Sequence, residues 1–156
     1  MFGLIIIMIG IAVFSVFMAA GSNYIDGDKL RASAQRAEIQ SAVNQYGSGI
    51  VQFNLLFGRN PSSVSHISPA LVDPPKMPDG VGAVSIQDYS VSSMKKTGVC
   101  FSANNVPYST YLAVAELKTL MSEGQVRITE SCSSLNEIAA PVSYPANFNF
   151  IYLVRT

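Results

Sequence analysis

The chain has 156 residues, ten Lys plus Arg against ten Asp plus Glu, one histidine, two cysteines and a formal net charge of zero. With 49% hydrophobic and only 13% charged residues, it does not have the composition of a disordered or polyelectrolyte chain, and the lack of any basic run argues against nucleic acid as a partner. A single histidine and no CxxC pair leave no ligand set for a structural zinc site.

No charged side chain precedes Asp26, and Phe2 to Ala20 is apolar but for Ser15. As a helix this run is roughly 28 Å long, close to the hydrocarbon thickness of a bilayer. It predicts a transmembrane anchor over residues 1–21 that contacts lipid through residues 2–20. A cleaved signal peptide is the nearest rival, with Met18-Ala19-Ala20-Gly21 as its cleavage site. It would need a basic segment ahead of the run and a shorter apolar core. A buried core helix is the third reading. Lys29 and Arg31 follow the run, which by the positive-inside rule would place the remainder in the cytoplasm. The cysteines favour the opposite side, so the expectation is a single span in a bacterial inner membrane with the soluble domain in the periplasm.

An amphipathic helix is expected within residues 22–60. Asp26 or Asp28 supplies its N-cap. Ile39, Val43, Tyr46, Ile50, Phe53 and Phe57 recur at three- and four-residue spacing and form one face. Arg31, Gln35, Glu38, Gln45 and Gln52 lie away from it. Gly47 and Gly49 weaken the middle and suggest a bend, and Gly58 followed by Asn60-Pro61 ends the helix.

Residues 61–156 read as the α+β remainder of the same soluble domain. Pro61, Pro69, Pro74, Pro75 and Pro78 make the stretch to Gly82 an irregular connection. Asp79-Gly80 is a turn signal before a strand over Val81–Tyr89. Ser90 to Lys96 reads as a turn before a strand around Cys100. A second helix is expected from about Pro107 to Ser122, with Asn104 or Asn105 as cap, Pro107 in the first turn and Gly124 at its end. Tyr111, Val114, Leu117 and Met121 form its buried stripe. A strand from Gln125 to Glu130 leads to Cys132, and Phe148 to Val154 reads as a last strand. The fold class is therefore α+β: a transmembrane helix, an amphipathic helix, then a mostly antiparallel sheet with one further helix.

Cys100 and Cys132 each end a strand-like stretch. An even pair in an exported domain predicts a disulfide, worth about 3–4 kcal/mol in the chain-entropy model. Two buried free thiols in a cytoplasmic domain are the alternative. No Walker loop, GxGxxG or HExxH is present, and Gly80-Val81-Gly82 lacks the third glycine and following helix of a nucleotide site. His66 in Ser65-His66-Ile67-Ser68 would need a nucleophile and an orienting carboxylate to act as a base, and neither Asp73 nor any serine is singled out for that role. It reads as a surface histidine. Glu116 and Glu123 read as the solvated face of the second helix, and Lys95-Lys96 as a solvated turn. No catalytic, cofactor-binding or metal-binding residue is assigned, and no small-molecule substrate is evident.

The apolar N-terminal run leads toward an amphipathic helix with Arg36-Ala37-Glu38-Ile39-Gln40-Ser41-Ala42-Val43-Asn44-Gln45-Tyr46, then through Gly58-Arg59-Asn60-Pro61 into a sheet domain with one cysteine pair. This plan resembles type IV pilins and pseudopilins, whose N-terminal helix builds the filament core and whose cysteine pair staples the sheet domain. It departs from them where a pilin carries a leader, and where Glu stands at the fifth mature position. Ile5, or Ile6 if Phe2 were first, stands there instead. In length, in an uncleaved anchor from Met1 and in the stretch Ile138-Ala139-Ala140-Pro141-Val142-Ser143-Tyr144-Pro145 before a final apolar strand, the chain also resembles PilM-type proteins of conjugative type IVb thin-pilus systems. That resemblance implies a non-enzymatic component of a pilus biogenesis or conjugation apparatus, in its basal body or in pilin transport, partnered by other pilus-assembly proteins or pilins. The alternative is a minor pilin or pseudopilin incorporated in the filament. An exported ligand-binding or enzymatic domain is the third reading.

Overall fold

A computed structural model describes residues 26–154. The expected membrane anchor lies outside the described residues, and among these no helix is long and apolar enough to cross a membrane.

Helix α1 spans Gly27–Phe57, roughly 46 Å at 1.5 Å per residue. The Asp26 carboxylate caps it by accepting from the Asp28 N–H at 3.2 Å. Gly58 closes it in the left-handed region, at φ 66°, with its N–H on the Asn54 carbonyl. The apolar stripe is buried from Ile39 through Val43, Tyr46 and Ile50 to Phe53. Phe57 departs from expectation and is 58% exposed. The stripe stops at Phe53, whose ring is tilted 4.5 Å from Phe57 and stacked 5.5 Å from His66.

The expected bend at Gly47 and Gly49 gives way to an unbroken helix. Both glycines serve close approach instead. A β-carbon on Gly47 would lie 3.2 Å from Tyr152 Cε1, and one on Gly49 only 2.2 Å from Ile67 Cγ2. Ile67 is fully buried, just after a short 3-10 turn at Val64–His66. It is the point at which the proline-rich connection plugs into α1.

Strand β1 spans Val81–Val91 and β2 spans Met94–Val106. They form one long hairpin in register Val91↔Met94 and Ser90↔Lys95. The expected seven-residue turn at Ser90–Lys96 is thus only Ser92-Ser93, with φ 48° and 70°. Positive φ at both central residues is the geometry that suits strand twist, and it normally selects Asn or Gly. Serine carries no such signal, so the turn was not legible.

Helix α2 covers Tyr108–Leu120, β3 is Val126–Thr129, and β4 is Ala146–Leu153. Pro107 is the N-cap of α2 rather than a first-turn residue, and no side chain caps the helix. Asn105 instead lies in β2 at φ 53°, its N–H held by Asn147 Oδ1 at 2.6 Å. Gly124 has φ 73° but belongs to the turn into β3, because α2 already closes at Met121. Cys132 sits three residues beyond the end of β3.

The sheet order is β1-β2-β4-β3, and every neighbouring pair is antiparallel. β2 and β3 therefore run parallel to each other, joined by α2, with β4 inserted between them. The architecture is α+β, a long N-terminal helix on an antiparallel sheet. Val99, Phe101, Ala103, Phe148 and Phe150 join Ile39, Val43, Tyr46 and Ile50 of α1 and Val114 and Leu117 of α2 in one core. Phe101 and Phe150 are cross-strand partners with rings stacked at 4.9 Å, and Tyr46 meets Phe101 edge-on at 5.7 Å.

Gly49→Ala gains about 1 kcal/mol of helix propensity but overpacks against Ile67, which typically costs 1–3 kcal/mol. The expected net loss of about 1 kcal/mol is read as a lower denaturant midpoint for the full chain in detergent. Gly27→Ala, with open space around it, should show no loss. A Gly49→Ala midpoint at or above that of the parent would contradict the packing role.

Candidate functional site

The face of the sheet turned away from the helices carries a second, smaller core of Tyr89, Cys100, Ile151 and Leu153, with Val91, Cys132 and Leu135 against it. Strand alternation puts it there, since Cys100 lies between the helix-facing Val99 and Phe101. Cys100 and Cys132 are bonded, with Cα atoms 5.6 Å apart. The bond ties the middle of β2 to the segment that follows β3. The Cys132 carbonyl accepts from the Tyr89 hydroxyl at 2.7 Å and also from the Gln87 side-chain amide. Burial pushes the Tyr89 phenol above its ordinary value, an effect opposed by its hydrogen bond with Gln87. Asn149 adds a bond from Nδ2 to the Glu130 carbonyl at 2.6 Å.

A polar chain fixes the far end of α1 to the hairpin. Asn54 Nδ2 donates to Asn60 Oδ1 at 2.8 Å, Asn60 Nδ2 to Asp88 Oδ1 at 3.3 Å, and Thr97 Oγ1 to the same Asp88 oxygen at 2.7 Å. Asn60 is thus bonded to both α1 and β1, which holds Gly58–Asn60 against the sheet.

The residues singled out for chemistry do not converge. His66 stacks on Phe53, and its Nδ1 accepts from the Ser62 N–H at 3.4 Å, so a ring and a backbone group hold it. Asp73 lies exposed in the proline-rich connection. Glu116 is not a free solvated carboxylate. It pairs with Arg36 of α1 at 3.1 Å, and both side chains are about a third exposed, so the pair contributes little. Glu123 lies beyond the end of α2. Lys95-Lys96 belongs to β2, not to a turn. Among the described residues no group of three or more His, Cys, Asp and Glu is placed to hold a metal ion.

What the molecule offers instead is surface. An open groove of about 550 Å³ runs between α1 and the end of β4, lined by Asn44, Ser48, Val51, Gln52, Tyr152 and Val154. Its polar groups are amides and hydroxyls, which suit neutral hydrogen bonding rather than charge recognition. Beside it the last turns of α1 expose Leu55, Leu56 and Phe57. Sequence reasoning assigned Phe57 to the core and left Leu55 and Leu56 unmarked. At the other end of the sheet, Tyr108, Tyr111 and Tyr144 form an aromatic cluster. The Tyr144 hydroxyl has no hydrogen-bond partner, and burial together with Tyr111 and Tyr108 pushes its pKa up to about 12.

No protein-family model matches the chain, and no curated protein matches it. Its fold is similar to that of the major type IV pilin PilA1 from Clostridium difficile. The superposition has a TM-score of 0.53 at 13% sequence identity, and it covers 81% of this chain and 97% of the other. The fold is pilin-like. A pilin-like fold combines a long N-terminal helix with an antiparallel sheet, which is the arrangement that places Tyr46 on Phe101 here.

Opening the Cys100–Cys132 bond is expected to cost about 3–4 kcal/mol, by loop-closure entropy. Adding reductant should lower the denaturation midpoint accordingly, and mass spectrometry without reductant should find no alkylatable thiol. Two reactive thiols in the folded chain would contradict the bond.

Proposed function

We propose that the chain is a non-enzymatic, membrane-anchored, pilin-like component of a type IV pilus or related conjugation apparatus. The observation that carries this reading is the extent of the fold likeness, which takes in nearly all of a type IV pilin and most of this chain. The apolar run Phe2–Ala20 precedes α1 in the order that a pilin's membrane helix precedes its sheet domain. In this reading the run holds the protein in the inner membrane, α1 leads from it into the sheet domain, and the disulfide supports a periplasmic position for that sheet. Exposed side chains of α1 and of the sheet meet other pilus proteins.

Within that class, residence in the assembly apparatus is the leading role. Phe2–Ala20 contains no acidic residue at all, so it lacks the carboxylate whose charge is neutralised inside a growing pilin filament. A PilM-type basal component needs none. The fold likeness fits the second reading as well, a minor pilin incorporated in the filament.

Gene deletion in the native bacterium, scored with mass spectrometry of sheared filaments, tests the proposal. The deletion strain is expected to lose its pili, and the protein is expected in the inner-membrane fraction and not in the filaments. Finding it as a filament component would move the assignment to minor pilin. Normal piliation without the gene would overturn both readings.

A further inference from the structure

The pole of the domain from which α1 departs carries an exposed apolar surface that the core does not explain. β2 ends there at Val106 and β4 begins there at Ala146, its register partner. Helix α2 starts at the same pole, with Thr110 Oγ1 3.3 Å from Gln35 Oε1 of α1. Two residues earlier Tyr108 is 46% exposed, and its ring lies edge-on to Tyr144 at 5.2 Å. Val142, in the loop leading to Tyr144, is fully exposed, and Leu30 on the first turns of α1 is 60% exposed. The Tyr144 hydroxyl beneath them is shielded from water and unpaired.

The position of the chain outside this surface says what covers it. Only residues 21–26 separate the apolar run Phe2–Ala20 from the start of α1, and α1 needs about 12 Å to rise from Gly27 to Gln35. The headgroup layer on one side of a bilayer is roughly 5–8 Å thick. Neighbouring helix axes lie about 10 Å apart, so a stem leaning toward α2 by 30–40°, within the observed range of membrane helix tilt, lowers the first turn of α2 by roughly 5 Å. That brings this pole toward the headgroup layer.

We propose that the Tyr108–Val142–Tyr144 pole docks onto the phospholipid headgroup layer as a second membrane contact, seating the domain against the bilayer beside its own anchor. The inference rests on the anchor reading above. An exposed tyrosine ring with a polar tip, Tyr108, flanked by the bare aliphatic side chain of Val142, suits that layer. The charges on the first turns of α1 balance, with Lys29 and Arg31 beside Asp26 and Asp28, and Lys76 pairs with Glu38 at 3.0 Å. The contact is therefore made by aromatic and aliphatic insertion, and a zwitterionic bilayer suffices for it.

The test uses the full chain in phosphatidylcholine vesicles at low protein-to-lipid ratio. Val142→Cys or Met94→Cys carries an environment-sensitive fluorophore, with the Cys100–Cys132 bond left intact. Met94 is 60% exposed and opens β2 at the opposite pole, so it reports on solvent. The label at 142 is expected to be blue-shifted and quenched by brominated lipid several-fold more than the label at 94. Tyr108→Ser, which leaves the core untouched, should reduce that difference. Equal quenching at both positions in vesicles that carry the protein would overturn the docking, as would a blue shift at 142 without quenching by lipid. A chain that does not float with the vesicles would overturn the anchor itself, and the docking with it.

Discussion

Everything in this domain depends on the contact of α1 with the sheet, centred on Tyr46 against Phe101 and on Phe101 stacked over Phe150. Neither partner stands alone. Helix α1 carries two internal glycines on its buried face and serines and glutamines outside it, and a helix of that composition draws its stability from tertiary packing rather than from propensity. The helix-facing side of β2 and β4, in turn, is a continuous apolar surface that water would otherwise cover. Gly47 and Gly49 permit the close approach at a propensity cost of about 1 kcal/mol each, so the local weakness of the helix is the condition for its docking.

Covering one face of the sheet with helices leaves the other to be covered by something else. The segment after β3 folds back over it and is held by the Cys100–Cys132 bond, with Gln87, Tyr89 and Asn149 satisfying the backbone carbonyls that the loop would otherwise leave unpaired. That second core is small, and a covalent tie suits a layer with few apolar contacts. Among the described residues, the side chains singled out for chemistry do not converge. The molecule's distinctive features are surfaces: an outward helix face, a neutral polar groove and an aromatic pole at the end of the sheet nearest the start of α1.

Features with a local cause were legible in the sequence. Asp26 and Gly58 bound α1 because capping and the left-handed region have their own residue preferences. The three- and four-residue spacing of Ile39, Val43, Tyr46, Ile50 and Phe53 marked the buried face, and the cysteine count marked the disulfide. What was not legible depends on neighbours distant in the chain. The tight turn at Ser92-Ser93 follows from the pairing of β1 with β2, since serine has no strong preference for positive φ. Phe57 continues the helical spacing, yet the core ends one turn before it. Glu116 looks solvated until Arg36, 80 residues away, is brought to it. The two glycines read as a bend because only the tertiary structure shows Tyr152 and Ile67 pressed against them.

The most direct measurement of this account is a set of nuclear Overhauser contacts among the aromatic rings of the full-length, isotope-labelled chain in detergent micelles. Cross-peaks linking Tyr46 to Phe101 and Phe101 to Phe150 are the expected result, because both ring pairs lie within 6 Å centre to centre. Cross-peaks within the sheet, with none from Tyr46 to it, would mean that α1 stands free of the sheet, and would contradict the pilin-like packing from which the rest is argued.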